Sequence, residues 1–276
     1  TRTMEYLTLA GKGMVDYGWR ILYASMILFA LELAIGWNRY SLKSRLRGAF
    51  FWAVYIAITV ALLTAFGMLW GKLGVKPLVV ISMGEWFASS NKLVTMLGWV
   101  VTPVLALAVS DFFYYWFHRA QHTWKFLWVF HAEHHSIREM SAWNSNHHFT
   151  EELFRIPFIV IPMSFLVQMD PGFAPAIVWL LLGVHGQFIH SHTRLSLGPL
   201  RYVVADNHFH RIHHSVELPH WNRNFGSFTS IWDKLFGTAY FPKRHEWPDT
   251  GIDEHDEAQN LREFLFRPFQ KLRGKA

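Results

Sequence analysis

AFFWAVYIAITVALLTAFGMLWG, residues 49–71, runs for 23 positions without a charged side chain. A helix of about 20 apolar residues crosses the hydrocarbon of a bilayer, so this stretch predicts a transmembrane helix and frames the rest of the chain. Four further segments reach or approach that length. Gly18 to Trp37 is interrupted by Arg20 and Glu32, and Leu93 to Phe117 contains one acid, Asp111. Leu153 to Met169 and Gly172 to His190 are joined by Met-Asp-Pro-Gly, the composition of a tight turn, and predict a helical hairpin. The expected fold is all-α, a multi-spanning integral membrane helical bundle. Leu78 to Met83 is apolar but too short to span and reads as re-entrant or interfacial.

The chain has 276 residues, 51% of them hydrophobic, and a formal charge of +6. A basic balance fits either a nucleic-acid partner or Lys and Arg on the cytoplasmic side of a bilayer, and the apolar runs favour the second. No nucleic-acid partner is expected. Cysteine is absent, which removes disulfides, thiolate metal ligands, iron–sulfur clusters and a haem-thiolate centre together.

Arg39, Lys43, Arg45 and Arg47 crowd the connection between the first two spans, which places that loop in the cytoplasm. Alternation then brings His118, His122, His190 and His192 to the same face. Three regions follow: N-terminal transmembrane helices over 1–117 (18–37, 49–71 and 93–117), a histidine-rich region over 118–241 that includes the hairpin at 153–190, and a charged cytoplasmic tail over 242–276. The end of that tail, Leu261 to Phe269, reads either as an amphipathic segment on the headgroups or as a packed terminal helix.

Fifteen of the 17 histidines lie between His118 and His220, and none precedes His118. Eight form three clusters: His118-Arg-Ala-Gln-His122, His131-Ala-Glu-His134-His135 and His210-Arg-Ile-His213-His214. Helical spacings of three and four put side chains on one face, so each cluster can present its imidazoles to a common point. One tetrahedral ion needs about four ligands, so eight imply two metals. Imidazole suits iron, zinc, copper and nickel alike. His190 is a candidate ninth ligand and His148 a weaker one, whereas His147, His185, His192, His208, His220, His245 and His255 read as ordinary surface or core residues.

Neutral imidazoles leave the metal charge for nearby acids to balance, with Asp111, Glu133, Glu151, Glu152, Asp206 and Asp233 as candidates. Asp111 shares a helix face with His118 and His122 and is expected to contact a histidine from another helix. Tyr114 and Tyr115, one turn before His118, are expected to line the same pocket. Asp111, Tyr115 and Glu133 are the candidate catalytic residues, although Glu133 reads equally as facing water.

Together these motifs resemble the fatty acid hydroxylase and sterol desaturase superfamily of membrane diiron oxygenases. The resemblance runs from Asp111-Phe-Phe-Tyr-Tyr-Trp-Phe-His118-Arg-Ala-Gln-His122 through His131-Ala-Glu-His134-His135-Ser136. It resumes at His190-Ser-His192-Thr-Arg-Leu-Ser-Leu-Gly198 and closes with His208-Phe-His210-Arg-Ile-His213-His214-Ser215 and Asn224 to Thr238. It implies two iron ions, dioxygen as co-substrate, a lipid substrate and electrons from an external electron-transfer protein, with zinc able to replace iron in recombinant protein. The eight clustered histidines map onto the family's ligand motifs, and members tend to have a further histidine near His190. Two departures are His192 and the pair Asn146-His147. The three-residue gap between His118 and His122 leans toward the sterol desaturase, methylsterol oxidase and alkylglycerol monooxygenase branches, and the same site would serve hydroxylation or desaturation.

Seven aromatics, Phe112, Phe113, Trp116, Trp124, Phe126, Trp128 and Phe130, suit either a dry substrate pocket or plain packing. Arg119, Lys125, Arg138 and Arg211 read as exposed cations that could dock an acidic electron carrier. Two rivals remain from other classes. A membrane metal-binding or transport protein predicts ligands near mid-membrane, and a dizinc hydrolase predicts activity without oxygen.

Overall fold

The structure, a computed structural model, describes residues 2–35, 40–81, 89–169, 173–252 and 256–274. It is 67% helix with almost no strand. Helix α1 spans Arg2–Ile35, α2 Leu42–Leu73, α3 Lys92–Thr123 and α4 Lys125–His135. Thr150–Arg155 (α5) continues through a π-turn, Ile156–Val160, into Ile161–Leu166 (α6). Pro157 lacks the amide proton that a regular α-turn uses, and the wider turn accommodates it. Then come α7 (Phe173–His190), α8 (Asn207–His213), α9 (Ile231–Leu235) and α10 (Leu261–Leu272). Short polar residues start several of them: Ser41, Asn91, Asp206 and Asn260 each accept a hydrogen bond from an amide in the first turn.

Among the described residues two helices, α2 and α3, are long and apolar enough to cross a membrane. Only 28% and 19% of their most apolar stretches are buried. Leu69, Leu73, Leu97 and Leu105 instead face outward, which a core helix of a water-soluble domain does not do. The apolar part of α1, Leu22–Ala34, is shorter. The expected ends of the first span at Gly36 and Trp37, Arg39 in the following loop, and Asp170, Pro171 and Gly172 of the hairpin turn lie outside the described residues. The apolar stretch from Leu78 is extended over part of its described residues. Val79–Ile81 (β1) pairs in parallel with Val167–Met169 (β2), Val79 opposite Val167.

Glu32, read from the sequence only as an interruption of the first span, is buried and joins four segments. It accepts from the Arg45 guanidinium of α2, from the Ala142 amide at 2.9 Å and from the His192 amide at 2.8 Å. Arg45 is thus a buried structural partner rather than a free loop charge, and Arg47 is paired with Glu257.

Over its described residues the chain beyond residue 242 packs on the rest of the protein and is not a solvated tail. Arg211 donates to the Pro248 carbonyl at 2.7 Å, and Phe264 of α10 stacks on Phe51 of α2 with centroids 4.4 Å apart and planes within 6°. This settles the terminal segment as a packed helix; Asp253, Glu254 and His255 lie outside the described residues.

Gly48 marks the closest approach of α2 to the loop after α4. A Cβ there would sit 2.3 Å from the Trp143 carbonyl oxygen and 2.5 Å from Asn144 Cα. Both obstacles are backbone, so Gly48→Ala is expected to cost about 1–3 kcal/mol and to lower the thermal midpoint of detergent-solubilised protein, whereas Gly67→Ala, with open space at that position, leaves it unchanged.

Candidate metal centre

The histidines converge on two points, and the clusters do not map onto them one to one. His118, His122, His131, His135 and His213 bring one donor nitrogen each within 4.8 Å of one another; His134, His190, His210 and His214 do the same. The expectation that each cluster serves one point is therefore corrected for the His-x-x-His-His clusters. Successive helical residues are about 100° apart, so positions i and i+4 diverge by about 40° while i+3 lies about 60° to the other side. His131 and His135 go to the five-histidine group and His134 to the four-histidine group. The second cluster divides the opposite way, with His210 and His214 in the four-histidine group and His213 in the five. His190, at the end of α7, completes the smaller set.

Hydrogen bonds fix the rings. His118 Nδ1 lies 2.7 Å from the Phe225 carbonyl, His213 Nδ1 2.7 Å from the Arg223 carbonyl, His190 Nδ1 2.6 Å from the Gly186 carbonyl and His134 Nδ1 3.2 Å from the Asn146 carbonyl. A carbonyl only accepts, so each Nδ1 carries the proton and each Nε2 presents a lone pair. His131 Nδ1 faces a carboxylate oxygen of Glu151 at 3.2 Å, with the same result. Yet His118 Nε2 and His131 Nε2 are 2.9 Å apart, and His134 Nε2 and His190 Nε2 are 3.2 Å apart. Two lone pairs at that distance repel unless a cation accepts both. Nitrogens bound to one ion at about 2.1 Å lie about 3.0–3.4 Å apart, close to these spacings. His213 Nε2 is buried with no hydrogen-bond partner among the described residues.

Burial, reinforced by neighbouring imidazoles, holds His134, His135, His210 and His214 well below the usual histidine range. Burial pushes His213 down to about 3 despite its bond to the Arg223 carbonyl. Burial alone would raise Glu151, but His131 and His147 hold it well below the usual carboxylate range. These folded-state histidine values lie below the unfolded value of about 6.5, so below that pH the unfolded chain takes up protons that the native centre refuses. The histidine contribution to stability is present above pH ~6.5 and lost as pH falls, by up to about 1.4 kcal/mol per pH unit for each such imidazole. Metal-free protein is expected to show a thermal midpoint that drops steeply from pH 7.5 to 5.5; a flat profile would contradict this electrostatic picture.

The three candidate catalytic residues do not face the imidazoles as expected. Asp111 accepts from the amides of Ser227, Phe228 and Thr229 and from the Ser227 hydroxyl at 2.8–3.0 Å, organising that loop rather than a histidine. Tyr115 turns its hydroxyl to Thr238 at 3.0 Å and to Arg119, while Tyr114 lies against His118. Glu133 neither faces water nor a metal group; it is buried and paired through both oxygens with Arg267 of α10. His148 is held by Thr150 and the Leu265 carbonyl, outside both groups. Asp206 caps α8, Asp233 binds the amides of Phe225 and Gly226, and Glu152 accepts from Tyr55. Arg211 is buried, not exposed.

Sequence reasoning passed over His147. Its ring stacks on His134 with centroids 3.8 Å apart, and with His131 it flanks Glu151, whose spacing of four residues from His147 was the available signal.

Two cavities approach the groups. One, of about 370 Å³, reaches His122, His135 and His213 past Trp128, Trp221 and Asn222. The other, of about 170 Å³, reaches His190 and His210 past Tyr114, Leu182 and Gly183. Of the seven aromatics near the clusters, Trp128 lines the first cavity; Phe130 is core, and Phe112 packs on Trp232.

Residues 103–238 match the family model for fatty acid hydroxylase. The chain is 36% identical over 154 residues to an ornithine lipid hydroxylase of Rhizobium tropici, covering 54% of this chain and 45% of that protein. It is 31% identical over 134 residues to an alkylglycerol monooxygenase of Danio rerio (49% and 29%) and 30% identical over 135 residues to that of Homo sapiens (46% and 28%). The chain thus spans less than half the length of these relatives. No solved structure matches.

Proposed function

Since the chain belongs to the fatty acid hydroxylase family through residues 103–238, we propose that it is a multi-pass membrane enzyme that hydroxylates a carbon–hydrogen bond of an alkyl or acyl lipid, using dioxygen and an external electron donor. The observation that carries the metal reading is the pairing of bare Nε2 lone pairs, His118 with His131 and His134 with His190, on rings whose protons are committed to fixed acceptors. The residues present fit two ions, one held by His118, His122, His131, His135 and His213, the other by His134, His190, His210 and His214. The donors are all imidazole, which iron and zinc both accept. Bound iron supplies the redox chemistry that attack of dioxygen on an unactivated C–H bond requires and that zinc lacks.

The overall change is balanced by a lipid C–H, O2, two electrons and two protons giving C–OH and water. The chain's own part is orientation and exclusion of water. Backbone carbonyls hold the rings in one tautomer, Glu151 keeps the His131 proton on Nδ1, and the buried ring of Phe225, packed on His118, His122 and His213, excludes water there. The lipid enters from the bilayer between the outward-facing apolar helices, and the centre lies on the cytoplasmic side, where Lys125 and Arg138 offer cations to an acidic electron carrier. Ornithine lipid hydroxylase and alkylglycerol monooxygenase, both acting on lipids by name, support the substrate class.

Lipids from cells with and without the protein, grown under oxygen-18 gas, test this reading. One labelled hydroxyl per molecule in one lipid class is the expected result. No label anywhere from iron-loaded protein with a working reductant would overturn it.

A further inference from the structure

Building on the hydroxylase reading, we infer that the cavity reaching His190 selects lipids bearing a hydrogen-bond donor, a hydroxyl or an amide N–H, within a few bonds of the oxidised carbon, with Gln187 as the specificity-determining residue. Most polar groups that line this cavity are already engaged. Asp111 is bound to the loop at 227–229, Arg155 to Glu152 and Tyr55, and His147 to Glu151. Among the described residues, two oxygens are left over beside the Nδ1 of His210: Gln187 Oε1 and Glu151 Oε1 are buried without a hydrogen-bond partner, on side chains of residues only 4% and 3% exposed. Both are acceptors. A hydrocarbon tail lying there would leave them unsatisfied, which is unfavourable for a buried polar group, whereas a ligand donor would satisfy them.

Position turns this chemistry into regioselectivity. Gln187 precedes His190 by three residues on α7, about 4.5 Å along the helix axis, so a group bound by Gln187 holds the carbons next to it beside the four-histidine group. The wall also leaves room, since a Cβ at Gly183 or Gly186 would meet nothing within 4 Å. Oxidation therefore falls near the polar end of the lipid, not at its middle or methyl end.

The test compares N-hexadecanoyl ethanolamide with its N-methyl, O-methyl analogue, which keeps the chain and loses both donors, in nanodiscs holding the iron-loaded full chain and a reductant. The expected results are a preference of about 10-fold in kcat/KM for the donor-bearing probe and oxygen-18 label within the first few carbons from the carbonyl. Gln187→Met raises KM for that probe several-fold and diminishes the preference with bound iron per chain unchanged, the remainder resting on Glu151, while Gln187→Glu, which retains an acceptor, keeps it in full. Binding read without turnover, as the anaerobic shift in thermal midpoint, follows the same order in wild type even if neither probe is turned over or Gln187→Met fails to fold. Equal affinity for the two probes, a preference undiminished by Gln187→Met, or label in the methyl half of the chain overturns the inference. Absence of label from every cellular lipid would instead remove the hydroxylase reading beneath it.

Discussion

Replacing His190 by alanine should lower bound iron from about two ions per chain to about one and reduce hydroxylation by at least about 100-fold. Of the nine histidines in the two groups it is the one that stands outside the three clusters, at the end of α7. Its Nδ1 proton is donated to the Gly186 carbonyl at 2.6 Å, and its Nε2 lies 3.2 Å from that of His134 and 3.0 Å from that of His210. Alanine leaves three imidazoles where the smaller group had four. His148→Ala is the matched control, because that ring is bound to Thr150 and the Leu265 carbonyl, and it should keep its iron. Elemental analysis of purified protein beside product formation separates the two; a His190→Ala protein with unchanged iron and turnover would remove His190 from the metal set.

Glu32→Ala is expected to be the most destabilising single change. It strands the Arg45 guanidinium, whose side chain is 3% exposed, and removes the acceptor of two buried amides, Ala142 and His192. Breaking a buried ion pair by removing one partner costs about 3–5 kcal/mol, and each unsatisfied amide adds about 1–3 kcal/mol. That is comparable to the whole stability of a typical domain. Glu32→Gln keeps an acceptor for the amides and should fall between, while Glu32→Leu combined with Arg45→Met should recover part of the loss because no charge is then stranded. Yield of monodisperse protein and thermal midpoint in detergent measure the series, and a Glu32→Ala protein as stable as wild type would show that the hub is dispensable.

Local periodicity carried much of this architecture. The uncharged run at 49–71 falls within α2, the clusters fall on helices or at their ends, and every clustered histidine belongs to one of the two groups. The division between the groups was not legible from spacing alone, because it depends on the angle at which α4 and α8 face each other. Asp111 was misread for a related reason. Its helical phase relative to His118 was right, but the partner is a loop more than a hundred residues away that no local pattern announces. The charge rule also counted Arg45 and Arg47 as loop charges, and both are spent on acids, Glu32 of the preceding helix and Glu257 far along the chain.

Four imidazoles, those of His118, His134, His190 and His213, are oriented by main-chain carbonyls of Phe225, Asn146, Gly186 and Arg223. A carbonyl has no genetic code of its own, so the residue at a position such as Gly186 can change without loosening the ring it holds, provided the backbone path stays; Phe225 differs, because its own ring also packs on His118, His122 and His213. The same fact limits transplantation: copying the nine histidines onto a foreign helical scaffold would import the ligands and leave behind the grip that aims them.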